Sequence, residues 1–313
     1  MGVGLARHFD RGGFDVAIVD PSATSRDRAR AGLAETRGSG APDNGAPDSG
    51  AGGAFACAAQ VGDLDDAWRD CVLAIEAVPE KLSLKRQAIA ALEDWLPAGT
   101  VIASNTSGLT TVQLTEAMRV PGRLAITHFF NPADVIPVVE VVPGPEMQPA
   151  PLAALVETLR ASGKLPAVLR KEVPGFVANR IQHAMMREAF HLLEEGVADA
   201  ETLDEIVRWT IGVRLAFFGP FLQRDLNGLD THLSIAEYLY GDLSAATEPS
   251  APLREKVAAG RTGRKAGAGF YDWDTGREDA QADAERALSA LITDMTLREG
   301  LRHDPSRPPE EDN

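Results

Sequence analysis

Between residues 16 and 168 short apolar runs alternate with longer amphipathic or polar stretches, and beyond residue 172 the alternation stops. This change of period constrains the fold more than any other feature. VAIV ends on Asp20, CVLAIEAV starts at Cys71, TVIAS at Thr100, LAITHFF at Leu124, VIPVVEVV at Val135 and LPAVLR at Leu165. Short apolar runs separated by helical stretches read as buried strands, and strand–helix alternation implies a mostly parallel, doubly wound sheet. From Phe176, FVANRIQHAMMREAFHLLEEG places apolar residues at i, i+3, i+4 and i+7 and closes on Gly196, a residue suited to a helix C-terminus. VADAETLDEIVRWTIG and residues 221–240 continue the helical pattern, and a further helix is expected over 279–299. The chain therefore reads as an α/β domain over residues 1–172, followed by an all-α domain over 173–313.

The 313 residues, 44% of them apolar, suffice for two cores. With 31 Lys+Arg against 46 Asp+Glu, the formal charge is -15, which disfavours nucleic acid and anionic membranes as partners. Cys57 and Cys71 form neither a disulfide framework nor a metal motif, as expected of thiols in a reducing cytoplasm. No apolar run approaches membrane-spanning length, and a cytoplasmic location is expected. His183 and His191 lack a third ligand nearby, so no metal site is expected. The Gly/Pro/Asp/Ser-rich stretch 37–53 reads as a flexible loop, and the tail SRPPEEDN as disordered.

The opening, GVGLARHFDRGGFDVAIVD, has the form of the second half of a dinucleotide-binding βαβ unit. Gly2 stands where the last glycine of a G-x-G-x-x-G turn would be. The buried strand and the first two glycines of that pattern do not precede it. Asp20 ends the next strand; it can bind the adenosine ribose hydroxyls, favouring NAD, or act as a turn or helix-capping acid. Ligands of open α/β sheets sit beyond the carboxyl ends of the strands. There the sequence puts Glu80, the Asn105–Thr106–Ser107 tip, His128 and Asn131. Glu140 interrupts the apolar run VIPVVEVVP, where a carboxylate must be paired to be buried. It can serve a structural ion pair, or hold an imidazole N–H of His128, twelve residues earlier, and leave the other ring nitrogen free as a base.

SNTSGL, HFFNP, VVEVVPGP, VPGFVANRI, FGPF, LNGLD and GRKAGAGFYDW occur in this order. Together they resemble the motif series of the L-3-hydroxyacyl-CoA dehydrogenase family over roughly residues 2–273. The resemblance implies a Rossmann-like NAD domain, a helical C-terminal domain that mediates homodimerisation, and oxidation of (S)-3-hydroxyacyl-CoA with NAD. By motif position His128 is the implied general base and Glu140 its orienting partner. Ser107 and Asn179 are the implied substrate contacts, with Asn131 as a further polar group of the substrate and cofactor site. Glu80 and Lys85, with Ser107, are implied on the nicotinamide side, and Gly2 and Asp20 at the pyrophosphate and adenosine ribose. The Met185-Met186 and Phe217-Phe218 pairs are expected to be core or dimer contacts.

The sequence departs from the pattern in two places. The missing strand and first glycines would leave unpaired backbone groups and no pyrophosphate cradle. Met1 falls where relatives often carry a methionine inside the glycine turn, and the expectation is that the natural start lies upstream. The second departure concerns the substrate. Arg26, Arg28, Arg30 and Arg37 are the basic residues on the helical excursion where CoA-binding members present positive charge. IPVVEVVPGPE and EGVADAETLDEIV are similar to the L-gulonate 3-dehydrogenase and lambda-crystallin branch. Oxidation of a free 3-hydroxy acid such as L-gulonate is therefore one alternative, and a non-catalytic crystallin-like protein another.

Overall fold

Helix α1 (Gly2–Arg11) turns Leu5, Ala6 and Phe9 inward and leads to β1 (Val16–Val19), which pairs in parallel with β2 (Phe55–Ala58). Between them runs α2 (Ala23–Gly38). The structure is a computed structural model that describes residues 1–38 and 53–298. Most of the expected 37–53 loop, and the SRPPEEDN tail, lie outside the described residues. The chain divides into two compact units, Met1–Val177 with the described residues from 285 on, and Ala178–Ala284.

In the first unit a second sheet has the order β3 (Leu73–Glu76), β4 (Val101–Ser104), β5 (Leu124–Phe129), β6 (Val138–Pro143), β7 (Leu165–Val168). All its pairings are parallel except β5–β6, which is antiparallel. The eight or so residues between β5 and β6 are too few for a crossover, so the chain returns as a hairpin. Helices α3 (Leu82–Trp95), α4 (Thr111–Thr115) and α5 (Pro149–Ala161) belong to the same unit.

Successive strand residues face opposite sides of the sheet, and β5 shows both. Leu124 and Ile126 join Ile89 of α3, Leu114 of α4 and Phe176 in one core. Ala125 and Phe129 join Leu5 and Phe9 of α1 and Leu155 and Leu159 of α5 in the other. Covering on both faces explains why β4 and β5 are buried along their whole length.

β1 and β3 do not pair with each other: among the described residues β1 has only β2 as a strand partner, and β3 only β4. Val16, Leu73 and Ile75 nevertheless pack against the same core and stay half-exposed. The strand β2 is absent from the sequence reading, because FACA carries little β-propensity and follows a Gly/Pro-rich stretch. Between β2 and β3 the chain makes two 3-10 turns, Val61–Asp63 and Asp66–Asp70.

In the second unit α6 (Ala178–Glu194) ends at Gly196, whose φ of 70° suits a glycine. Asp199 caps the next helix (Ala200–Ile206) by accepting from the Thr202 N–H at 2.8 Å. The continuous helix expected over 221–240 is broken at Gly228 (φ 92°) into Pro220–Asn227 and Leu229–Leu239. Only Gly269 is buried in this unit, and Trp209, Phe221, Tyr238 and Tyr240 are all largely exposed. Among the described residues no helix is long and apolar enough to cross a membrane.

His8, near the end of α1, lies with its Nε2 3.1 Å from the Ser162 hydroxyl. Burial, followed by the charges of Lys164 and Arg11, pushes its pKa down to about 3. Between this value and the ordinary 6.5 the unfolded chain takes up a proton that the folded chain refuses. Stability is therefore lost as pH falls through that window. In urea melts at about pH 7 and about pH 4, His8→Gln is expected to show a smaller difference in midpoint than the wild type.

Candidate active site

β3, β4 and β5 run parallel, so their carboxyl ends share one edge of the sheet, and His128 is the penultimate residue of β5. The antiparallel return of β6 sets Glu140 directly opposite it. The two-residue period puts His128 on the side of Leu124 and Ile126, and Glu140 on the side of Val142, the face that packs against Phe176. His128 Nδ1 lies 2.7 Å from Glu140 Oε2, with both side chains about 95% buried. An ionised carboxylate only accepts, so the neutral imidazole carries its proton on Nδ1 and keeps a lone pair on Nε2.

The other carboxylate oxygen, Oε1, accepts from the Val177 backbone N–H at 2.9 Å. The turn that presents this N–H includes Gly175 (φ 77°) and Phe176, a buried non-glycine residue at φ 51°. A phenylalanine in the left-handed region is strained and is held there by its surroundings. Its ring centroid lies 5.3 Å from the imidazole, and that of Phe130 4.6 Å away. The imidazole is thus flanked by two aromatic rings and oriented by a carboxylate that is itself held in place.

Beside this pair is a second cluster. Glu76 at the end of β3 and Lys85 on α3 form an ion pair with both side chains fully buried. Lys85 Nζ donates to Glu76 Oε1 and Oε2 (3.0 and 3.1 Å), the Val78 carbonyl (3.2 Å) and the Asn105 carbonyl (3.0 Å). The Ser104 hydroxyl donates to Glu76 at 2.5 Å, tying β4 to β3. Asn105 Oδ1 accepts from the Phe129 N–H at 3.1 Å, which ties the β4 end to β5 next to His128.

Glu80 accepts from the Thr106 hydroxyl and from the N–H groups of Ser107 and Gly108, each at 3.2 Å, and lies 3.4 Å from Lys85 Nζ. Partial burial pushes its carboxyl up. The Thr106 hydrogen bond, the Lys85 charge and the two N–H groups outweigh that, so the pKa is held below the usual range.

His128 and Glu140 are thus brought together, as are Glu80, Lys85 and Ser107. Lys85 presents no surface, because its ammonium is spent on the strand ends behind Glu80. Ser107 and Asn131 are exposed at the β4 and β5 ends. Asn179 stands on the first turn of α6 in the second unit.

A dinucleotide needs an acceptor for its ribose hydroxyls and N–H donors for its pyrophosphate. Asp20 follows β1, half-buried, with Oδ1 accepting from the Ser22 N–H at 2.8 Å. Helix α1 starts at exposed Gly2 without a side-chain cap, and a Cβ on Gly2 would meet nothing within 4 Å. Asp20 fits the adenosine ribose of a dinucleotide, and the uncapped start of α1 its pyrophosphate. Among the described residues no group of His, Cys, Asp and Glu could hold a metal ion.

Sequence reasoning passed over Glu76, Phe176 and the Val177 N–H. Glu76 gives the signal that singled out Glu140, a carboxylate inside an apolar strand. Lys85→Met strands the buried Glu76 charge and is expected to cost about 3–5 kcal/mol of unfolding free energy. In denaturant melts the Glu76→Leu/Lys85→Met double variant should lose less than the sum of its two single variants.

Residues 1–173 match the family description "3-hydroxyacyl-CoA dehydrogenase, NAD binding domain", and residues 175–273 match "3-hydroxyacyl-CoA dehydrogenase, C-terminal domain". The chain is 36% identical over 308 residues to the 5-formyl-3-hydroxy-2-methylpyridine 4-carboxylate 5-dehydrogenase of Mesorhizobium japonicum, covering 96% of each chain. To the probable 3-hydroxybutyryl-CoA dehydrogenase of Deinococcus radiodurans it is 33% identical over 282 residues, 87% of this chain and 96% of that one. Its fold superposes with a TM-score of 0.85, at 35% identity and 96% coverage of both chains, on a crystal structure of a dehydrogenase of the same pyridine carboxylate, described as an NAD+ dependent dismutase.

Proposed function

The chain belongs to the 3-hydroxyacyl-CoA dehydrogenase family and is an NAD-dependent oxidoreductase, and we propose that it interconverts (S)-3-hydroxyacyl and 3-oxoacyl groups with His128 and Glu140 as its acid–base pair. The observation that carries this reading is the buried 2.7 Å contact between Nδ1 and Oε2, which leaves Nε2 as the free base. Bound NAD supplies the hydride acceptor. His128 Nε2 removes the hydroxyl proton as the carbon is oxidised, and in the reverse direction the imidazolium returns it. Glu140 stabilises the imidazolium and keeps the ring from turning, as the Val177 N–H keeps the carboxylate from turning. Ser107 and Asn131 supply polar contacts to the substrate oxygens. Asp20 and the α1 N-terminus at Gly2 hold the adenosine and pyrophosphate, and Glu80 lies on the nicotinamide side with Lys85 behind it.

The acyl group has two candidate carriers. A CoA thioester is supported by the family description and by the relative from Deinococcus radiodurans. A free carboxylate is the second reading, supported by the relative named for a pyridine carboxylate. It is favoured by α2, where Arg26 donates to the Asp20 carbonyl and Arg30 and Arg37 pair with Asp27 and Asp10, so that of the four arginines exposed Arg28 is left for a nucleotide phosphate.

The exposed apolar residues of the second unit support a homodimer in which a second copy covers them.

With the wild-type chain, NADH oxidation by acetoacetyl-CoA is expected under the first reading, and NAD reduction by L-gulonate or 5-formyl-3-hydroxy-2-methylpyridine 4-carboxylate under the second. His128→Asn is expected to lower kcat by about 10²–10⁴-fold with little change in NADH affinity. Glu140→Gln should act in the same direction. Wild-type turnover by His128→Asn would exclude the dyad.

A further inference from the structure

The connection between the two dyad strands, residues 130–137, carries Asn131 and sets how β5 and β6 return on each other. Within it the N–H groups of Val135 and Ile136 both donate to the Pro132 carbonyl, at 3.1 and 3.0 Å. Lys164 closes the turn from outside: its Nζ donates to the Ala133 carbonyl at 2.6 Å and to the Ile136 carbonyl at 2.7 Å, and the residue is 98% buried.

The backbone is built to deliver this ammonium. Gly163, at φ 86°, lets the chain turn out of α5, and the Lys164 N–H returns to the Leu159 carbonyl at 3.0 Å. The next N–H, of Leu165, bonds the Pro137 carbonyl at 3.0 Å, so β7 grips the far end of the same connection. The charged and titratable groups facing Lys164 are Asp134 from the connection and Arg11 and His8 from α1. Burial pushes the Lys164 pKa down to about 8, with Asp134 opposing and Arg11 reinforcing. A buried ammonium is an expensive way to fill space, and an apolar side chain of similar length would fill it at lower cost. What the ammonium adds is two directed bonds to one turn.

We propose that Lys164 is a positioning residue of the reaction, whose ammonium fastens the turn between the His128 and Glu140 strands and so fixes Asn131 and the alignment of the dyad. The proposal rests on the dyad reading given above, and Lys164 itself touches neither substrate nor cofactor.

The test is a double-variant cycle on the full chain, using the most active substrate of the panel above. Lys164→Met is expected to lower kcat about 10²-fold, the scale set by a misplacement of about 1 Å. The NADH dissociation constant, read from nicotinamide fluorescence, should stay within about twofold of wild type. In the His128→Asn background the same substitution should change kcat by less than about threefold, because the group it positions is gone. An undiminished rate in Lys164→Met, or an equal loss in both backgrounds, overturns the proposal.

A substrate-independent measurement covers the case in which Lys164→Met folds poorly. The downfield Nδ1–H proton resonance, assigned by its loss in His128→Asn, should shift or broaden in Lys164→Gln and stay unmoved in Lys171→Met, which changes an exposed lysine. An unshifted resonance in Lys164→Gln overturns the proposal. A fully active His128→Asn would instead remove the dyad reading, and that result is in hand before Lys164 is changed.

Discussion

The antiparallel pairing of β5 with β6 is the constraint on which the rest of the site depends. In a sheet whose other pairings are parallel, this one hairpin sets His128 opposite Glu140, with both side chains on the face covered by Phe176. A buried carboxylate is tolerable only when its oxygens are engaged, and here one meets the imidazole and the other the Val177 N–H. The second bond requires the chain after β7 to turn through Gly175 and Phe176 in left-handed conformations. Strain at Phe176, burial of Glu140 and orientation of His128 are thus parts of a single arrangement.

Around it, buried charges hold the strand ends. The Glu76–Lys85 pair joins β3 to α3, and Ser104 and Asn105 carry that attachment across β4 to the Phe129 N–H. Lys164 performs the corresponding task on the turn between β5 and β6. These polar ties sit where the apolar cores give out, at the carboxyl edge of the sheet. A non-directional contact cannot specify a loop geometry, whereas an ammonium with two or three fixed acceptors can. Glu80 extends the same logic to the surface by gathering Thr106, Ser107 and Gly108 around one carboxylate.

Much of this was legible in the sequence. The strand–helix alternation gave the order of elements in the first unit apart from β2, because every other strand coincides with an apolar run. Gly196 marked the end of α6 for a local steric reason. The carboxylate inside VVEVV pointed to a buried partner, and His128, twelve residues earlier, was the candidate. Strand β2 and the break at Gly228 were not legible, since FACA is too short to show a period and a single glycine within a helical pattern does not announce its φ. Glu76 lies inside the apolar run CVLAIEAV, and its buried partner Lys85 is nine residues away on a different element.

The sequence by itself determined the fold class, the change from α/β to all-α, and the residue types of a dehydrogenase site, because periodicity and local sterics are written in neighbouring residues. Tertiary structure alone decided that Lys85 lies buried behind Glu80, that the Val177 N–H completes the Glu140 carboxylate, and that Lys164 fastens the turn beside Asn131. Each of these is a hydrogen bond or ion pair whose partners include groups from distant parts of the chain, several of them backbone carbonyls or N–H groups. Every residue carries such groups, so no residue type announces which of them a buried charge will find.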